Sequence, residues 1–70
     1  MKFLIEINNT IFGISYTAIK KEHDGKVVAT AYDLATEDQA VNFIRERWSH
    51  RGSIYVYDYV DDLDRTIRAL

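Results

Sequence analysis

Residues 26–48 read KVVATAYDLATEDQAVNFIRERW, and within them the spacing of apolar side chains changes from that of a strand to that of a helix. Residues 26–33 are rich in β-branched and aromatic side chains, which predicts a strand. Thr36 and Gln39 have the spacing of a capping box, in which both side chains satisfy free amides at a helix start. We therefore predict a strand that leads into a capped helix.

The predicted helix is amphipathic. Arg45, Arg47 and Arg51 lie toward its end, where cations suit the helix dipole, and Gly52 is predicted to end it in a left-handed conformation. Its apolar residues fall within one arc at 3.6 residues per turn, which predicts that this arc packs on a sheet. They are Ala40, Val41, Phe43, Ile44 and Trp48.

Two turn signals upstream predict a meander of three antiparallel strands over residues 2–7, 10–22 and 26–33. Asn8-Asn9 tolerates the positive φ angles of a tight hairpin, and Asp24-Gly25 is the stronger signal because glycine accepts positive φ freely. Two-residue turns fix the register of the strands that they join. Ile5 is therefore predicted opposite Phe12, Ala18 opposite Ala31, and Tyr16 opposite Asp33.

A fourth strand is predicted over residues 53–60, and Asp61 or Asp62 is predicted to cap a short last helix. The apolar stripe of that helix is Val60, Leu63, Ile67 and Leu70. A crossover through a helix makes the fourth strand parallel to the first and third, and such crossovers are nearly always right-handed. The predicted fold class is α+β: a four-stranded mixed sheet, β-β-β-α-β-α in the order 3-2-1-4, with one main helix packed on one face and a short C-terminal helix.

This register assigns each strand residue to one of two sheet faces. The face under the main helix is predicted to carry Phe3, Ile5, Ile7, Phe12, Ile14, Tyr16, Ala18, Val27, Ala29 and Ala31. The other face, the open face, is predicted to be exposed and to carry Leu4, Ile11, Ile19, Val28, Tyr32, Tyr55, Tyr57 and Tyr59, among other residues.

Composition excludes several classes of protein. With 70 residues, 47% of them apolar and 29% charged, the chain is predicted to form a single globular domain over residues 1–70. A net charge of −2 gives no overall attraction to phosphate backbones, and the absence of cysteine fits the reducing cytoplasm. The apolar run at residues 3–5 ends at Glu6, which is too short for a signal peptide or a membrane span.

The candidate binding residues are tyrosines and carboxylates near the C-terminal end. Tyrosine combines a large contact area with a polar tip, which favours a role in binding, although tyrosine is also common in strands for structural reasons alone. The acidic run offers charge to a basic partner, but carboxylates also simply stabilise helix starts. The predicted binding set is Tyr55, Tyr57, Tyr59, Tyr32, Asp61, Asp62 and Asp64.

The expected partner is another protein, with a homodimer through the open face as an alternative. A further alternative is a small nucleic-acid-binding domain in which bases stack on the tyrosines of the sheet face. It is disfavoured because Glu6 shares the open face and the acidic run lies nearby. No catalytic residues are assigned because His23 and His50 stand apart from any nucleophile signature, so we expect no enzyme activity. No metal site and no cofactor are predicted, since the acidic run lacks the spacing and the glycine of a calcium loop.

The order of elements, with KVVATAYDLATEDQAVNFIRERW as its passage from strand to capped helix, resembles that of small inhibitors carried by phages and mobile elements, anti-CRISPR proteins among them. This resemblance implies a protein that occludes a surface on a host defence complex, itself a nucleoprotein, in the host cytoplasm. The order is also similar to that of HicB-type antitoxins, whose partial double-stranded-RNA-binding fold covers a toxin nuclease. VVATAYDLATED lacks the proline and glycine that the HicB family carries in this region.

Overall fold

The computed structural model describes residues 1–58 and 65–70, with all of their side chains except those at positions 58 and 65–68. The chain forms β1 (Lys2–Thr10), β2 (Gly13–Lys21), β3 (Val27–Leu34), α1 (Glu37–Arg47), β4 (Tyr55–Asp58) and β5 (Arg65–Ala69). These strands build one sheet in the order β3-β2-β1-β4-β5. β4 is parallel to β1, and the other pairs are antiparallel. The predicted α+β class and the order of the first four strands are confirmed.

The last described element is a strand, so the prediction of a short C-terminal helix is wrong. β5 pairs with β4 and places Ala69 opposite Tyr55. The Ile54 N–H donates to the Leu70 carbonyl at 2.9 Å, and the Leu70 N–H donates back to the Ile54 carbonyl at 2.6 Å. A returning strand satisfies the backbone groups along the edge of β4, whereas a helix would leave them without a ladder partner. The cap predicted at Asp61 or Asp62 lies outside the described residues.

The first hairpin turns at Ile11-Phe12, so the prediction of a turn at Asn8-Asn9 is wrong. Ile5 accordingly lies opposite Ala18 and not opposite Phe12. The longer hairpin places the small side chain of Ala18 at the centre of the sheet, where large side chains from the helix need space. Packing of the whole domain thus overrides a turn signal that is favourable only locally.

The second hairpin turns where Asp24-Gly25 predicted. Gly25 has a φ of 91°, and its N–H donates to the Glu22 carbonyl at 2.9 Å. Ala18 lies opposite Ala31 as predicted, so both strands present small side chains to the helix.

β3 is irregular beyond Ala31. A bulge there brings Leu34, rather than the predicted Asp33, opposite Tyr16. Asp33 has a φ of 59°, which carries the chain through this bulge in a left-handed conformation. The bulge turns the end of β3 toward the start of α1.

The capping box at the start of α1 is confirmed. The Thr36 hydroxyl accepts from the Gln39 N–H at 3.1 Å, and the Gln39 side-chain oxygen accepts from the Ala35 N–H at 3.0 Å. The helix packs across β1, β2 and β3. The buried core consists of Phe3, Ile5, Ala18, Ala40, Ile44, Ile54 and Val56.

The helix ends earlier than predicted. Its last residue is Arg47, and Ser49, with a φ of 52°, takes the left-handed conformation that was predicted for Gly52. The His50 N–H donates to the Ile44 carbonyl at 3.3 Å and so satisfies one of the free carbonyls of the last turn. The segment from Ser49 to Ile54 is thereby left to fold back against the sheet.

Candidate functional site

The open face of the sheet carries the tyrosines predicted to bind a partner. Tyr55 and Tyr57 lie beside Leu4 and Glu6 of β1, whereas the alternate residue Val56 is fully buried on the α1 side. Tyr55 and Tyr57 are both half-buried. Both rings therefore lie on the face away from α1, as the alternation of residues in the strand predicts.

The rest of the predicted binding set is divided between two regions. Tyr32 is 70% exposed and lies near the far edge of the open face, on β3. Tyr59, Asp61, Asp62 and Asp64 lie outside the described residues. The role of all these residues in binding stays a prediction, and of the three that the structure describes, Tyr55 and Tyr57 lie together on β4.

The centre of the open face is less exposed than predicted. Leu4 and Ile19 are opposite each other on β1 and β2, and they are only 4% and 6% exposed. Thr17 is also buried, and its hydroxyl accepts from the Asn8 side-chain amide at 2.9 Å. Because these side chains are buried, the centre of this face offers little apolar area to a partner.

Among residues 1–58 and 65–70, the β1–β2 hairpin extends beyond the paired parts of the strands on either side of it. In these ranges β4 pairs with β1 from Leu4 to Ile7, and β3 pairs with β2 from Tyr16 onward. We call residues 8–15 the arm, since within the described chain their ladder partners all belong to the arm itself. Three residues of extended strand on each side give it a reach of roughly 10 Å before the turn.

The tip of the arm presents large apolar side chains to solvent. Ile11 and Phe12 are 94% and 93% exposed, and Ile14 beside them is 57% exposed. The predictions that Phe12, Ile14 and Val27 pack under α1 are therefore wrong. Phe12 and Ile14 lie in the arm, past the start of α1, and Val27 is the first residue of β3, at the other end of the sheet. A contiguous exposed patch of this kind marks an interaction site more often than a scattered single residue does.

The turn itself is held by the residues on either side of Ile11-Phe12. The Thr10 hydroxyl accepts from the Phe12 N–H at 3.2 Å and donates to the Gly13 carbonyl at 3.1 Å. Gly13 has a φ of 120°, which a side chain would disfavour. Ile and Phe are not turn formers, so their place at the apex conflicts with local propensity, and such conflicts concentrate at functional sites. One sequence feature could have indicated this site: Gly13 lies within residues 7–19, a run that has no charged side chain.

The opposite end of the domain carries an aromatic cluster and basic side chains. Phe43 meets Trp48 edge to face with ring centroids 5.1 Å apart, and the Arg47 guanidinium lies 5.7 Å from the Phe43 centroid. Phe3 stacks on His50, and the Lys20 ammonium lies 5.9 Å from the Phe3 centroid. These contacts give Trp48 and His50 structural roles.

Two features of other functional classes are absent from residues 1–58 and 65–70. No three His, Asp or Glu side chains in these ranges lie together as metal ligands would. No helix in these ranges has the length and apolar character needed to cross a bilayer.

In comparisons with known proteins, no family model, curated protein or solved structure matches this chain.

Proposed function

We propose that this chain is a binding domain, and not an enzyme, that acts by covering a surface of another protein, with the tip of the arm as its main anchor. The observation that carries this proposal is the near-complete exposure of Ile11 and Phe12 at the apex of an ordered hairpin. A partner that offers an apolar pocket would remove both side chains from water. Neutral residues flank the tip, so we expect an uncharged rim around that pocket.

Burial of the tip would supply part of the binding free energy. Burial of one Phe or Ile side chain contributes roughly 1.5–3 kcal/mol, while association costs on the order of 4–15 kcal/mol. The tip alone is therefore insufficient, and further contacts must come from nearby exposed residues such as Ile14 and Tyr32. Because Thr10 and Gly13 already order the turn, little additional entropy is lost when it binds.

The finer proposal names the kind of partner. The order of elements that resembles phage-borne inhibitors of the anti-CRISPR kind supports inhibition of a host defence complex in the host cytoplasm by occlusion of its surface. Tyr55, Tyr57 and Tyr59, with the acidic residues that follow them, are proposed as a second contact region. This part of the proposal rests on resemblance and on residue chemistry.

Site-specific photo-crosslinking tests the tip. A photoreactive phenylalanine derivative is placed at position 12 and, as a matched control, at position 42, which is exposed on the outer side of α1. In host-cell lysate we expect position 12 to give a discrete adduct with one protein and position 42 to give none. Excess unlabelled protein should compete for that adduct.

A variant of the unlabelled competitor serves as the specificity control. The double variant Ile11→Ser, Phe12→Ser should fail to compete while its thermal melt stays unchanged, because both side chains are exposed in the folded chain. Equal competition by this variant, or the same adducts from positions 12 and 42, would contradict the proposal.

A second set of variants separates the two contact regions. If Tyr55 and Tyr57 contact the partner, Tyr55→Ala with Tyr57→Ala also abolishes competition. Light scattering over a range of concentrations distinguishes a foreign partner from a homodimer, since a mass that rises to that of a dimer would point to self-association.

A further inference from the structure

The lysines of this acidic chain lie together. All four of them, Lys2, Lys20, Lys21 and Lys26, are at the end of the sheet opposite the arm, where β1 begins and β2 ends. The end of α1 meets the same region, because Trp48 lies 6.2 Å from Phe3, ring centroid to centroid. Carboxylates at the start of α1, Glu37 and Asp38, belong to the arm end. Glu22 and Asp24, in the turn between β2 and β3, share the lysine end, but the four lysines outnumber them. The net charge of −2 therefore conceals a local excess of positive charge at this end.

Two of these lysines form an unfavourable pair. Lys2 and Lys21 are opposite each other on neighbouring strands and belong to the open face. Like charges at directly opposite positions of a sheet destabilise it. The described part of the chain supplies neither ammonium with a carboxylate in ion-pair contact. A bound anion would convert this repulsion into two attractive contacts.

A small cleft lies between the two lysines. Its lining includes both of them together with His23 and Tyr57, and its volume is about 160 Å³. A space of this size is enough for a single tetrahedral oxyanion. Glu22 also lines the cleft, so one carboxylate opposes an anion there.

We propose that this cleft binds a phosphate group, which Lys2 and Lys21 hold by charge and the Tyr57 hydroxyl holds by hydrogen bonding. A phosphate carries between about −1.5 and −2 charges near neutral pH and so matches two ammonium groups better than a carboxylate does. Lysine is a common phosphate ligand as a compact point charge. The group is either inorganic phosphate or the phosphate of a nucleotide whose remaining parts lie outside the cleft, beside the tyrosines of the open face.

An NMR titration of the ¹⁵N-labelled chain tests this proposal with inorganic phosphate, adenosine 5′-monophosphate and a short oligothymidylate, all at one low ionic strength. We expect saturable shifts of the backbone amides of Lys2, Lys21 and Tyr57 with inorganic phosphate. Tighter binding of the monophosphate, with shifts of the tyrosine ring signals, would assign the site to nucleotides. Tighter binding of the oligothymidylate would assign it to a nucleic-acid strand, and equal affinities would assign it to phosphate alone.

Three variants make the result specific. Lys21→Gln should weaken phosphate binding about fivefold, whereas Glu22→Gln should tighten it by about twofold because the opposing charge is removed. Lys26→Gln is the matched control: this lysine lies at the same end but outside the cleft, so affinity should not change. Shifts that rise linearly without saturation, or equal losses in Lys21→Gln and Lys26→Gln, would overturn the proposal in favour of a diffuse ion atmosphere.

Discussion

The rings of Phe3 and His50 lie nearly parallel, with centroids 3.8 Å apart and planes 14° from each other. His50 Nε2 also donates to the Ser53 carbonyl at 3.0 Å. The Arg45 guanidinium donates to the carbonyls of His50 and Gly52 at 3.1 and 2.6 Å. The segment between α1 and β4 is therefore fixed to β1 by a ring stack and to α1 by one arginine, which positions Ile54 to enter the core.

Gly52→Ala should destabilise the domain because a methyl group at this position would press on the His50 ring. A Cβ at position 52 would lie 3.0 Å from His50 Cε1 and 3.2 Å from Nε2. We expect the ring to move off Phe3, with a loss of about 1 kcal/mol in the free energy of unfolding. Denaturant unfolding measures this loss. In the His50→Ala background the same change should cost much less, and an equal cost in both backgrounds would show that the crowding does not matter.

Ile44→Ala should cost about 2–5 kcal/mol in the free energy of unfolding, since Ile44 is fully buried between α1 and the sheet. A domain of 70 residues has roughly 3.5–10 kcal/mol of stability in total, so this variant would lose a large share of it. The matched control is Ile11→Ala, the same substitution at the exposed tip, which should stay within about 0.5 kcal/mol of the parent chain. Similar melting temperatures for the two variants would be incompatible with this core.

Thr36→Ala should cost about 0.5–2 kcal/mol, because the Gln39 N–H loses the hydroxyl that caps it. Thr36→Ser keeps a hydroxyl at the same position and should recover most of the loss. Thermal melts followed by circular dichroism compare the three chains. If serine were no better than alanine, the hydroxyl contact could not be what starts the helix.

Asp33→Val should cost at least about 1–2 kcal/mol, because a β-branched side chain is strongly disfavoured at a φ of 59°. Asp33→Gly should be tolerated within about 0.5 kcal/mol, since glycine adopts this conformation without strain. Thr30→Val, at an exposed position of the same strand, controls for the change in side-chain type. Denaturant unfolding compares these chains, and equal stability of the Asp33→Val and Asp33→Gly variants would contradict a left-handed residue in the β3 bulge.

Part of the candidate site followed from the sequence. The alternation of residues along the strand predicted that Tyr55 and Tyr57 lie on the open face. This is confirmed, although the predicted turn of the first hairpin was wrong. The turn moved from Asn8-Asn9 to Ile11-Phe12, and the register changed by an even number of positions, which preserves the face of every side chain. The apolar tip was missed because turn signals were read from local propensity, and a turn through Ile and Phe has none.

Local signals in the chain were enough to predict the capped start of α1, the turn at Asp24-Gly25, and the alternation that divides each strand into two faces. The position of the first turn, the strand at Arg65–Ala69 and the grouping of the lysines emerged only from the folded domain. These features depend on contacts between residues far apart in the chain. Ala18 must lie where the helix needs space, and the edge of β4 must find a backbone partner, so packing and hydrogen bonding of the whole domain outweigh differences in local propensity of about 1 kcal/mol or less.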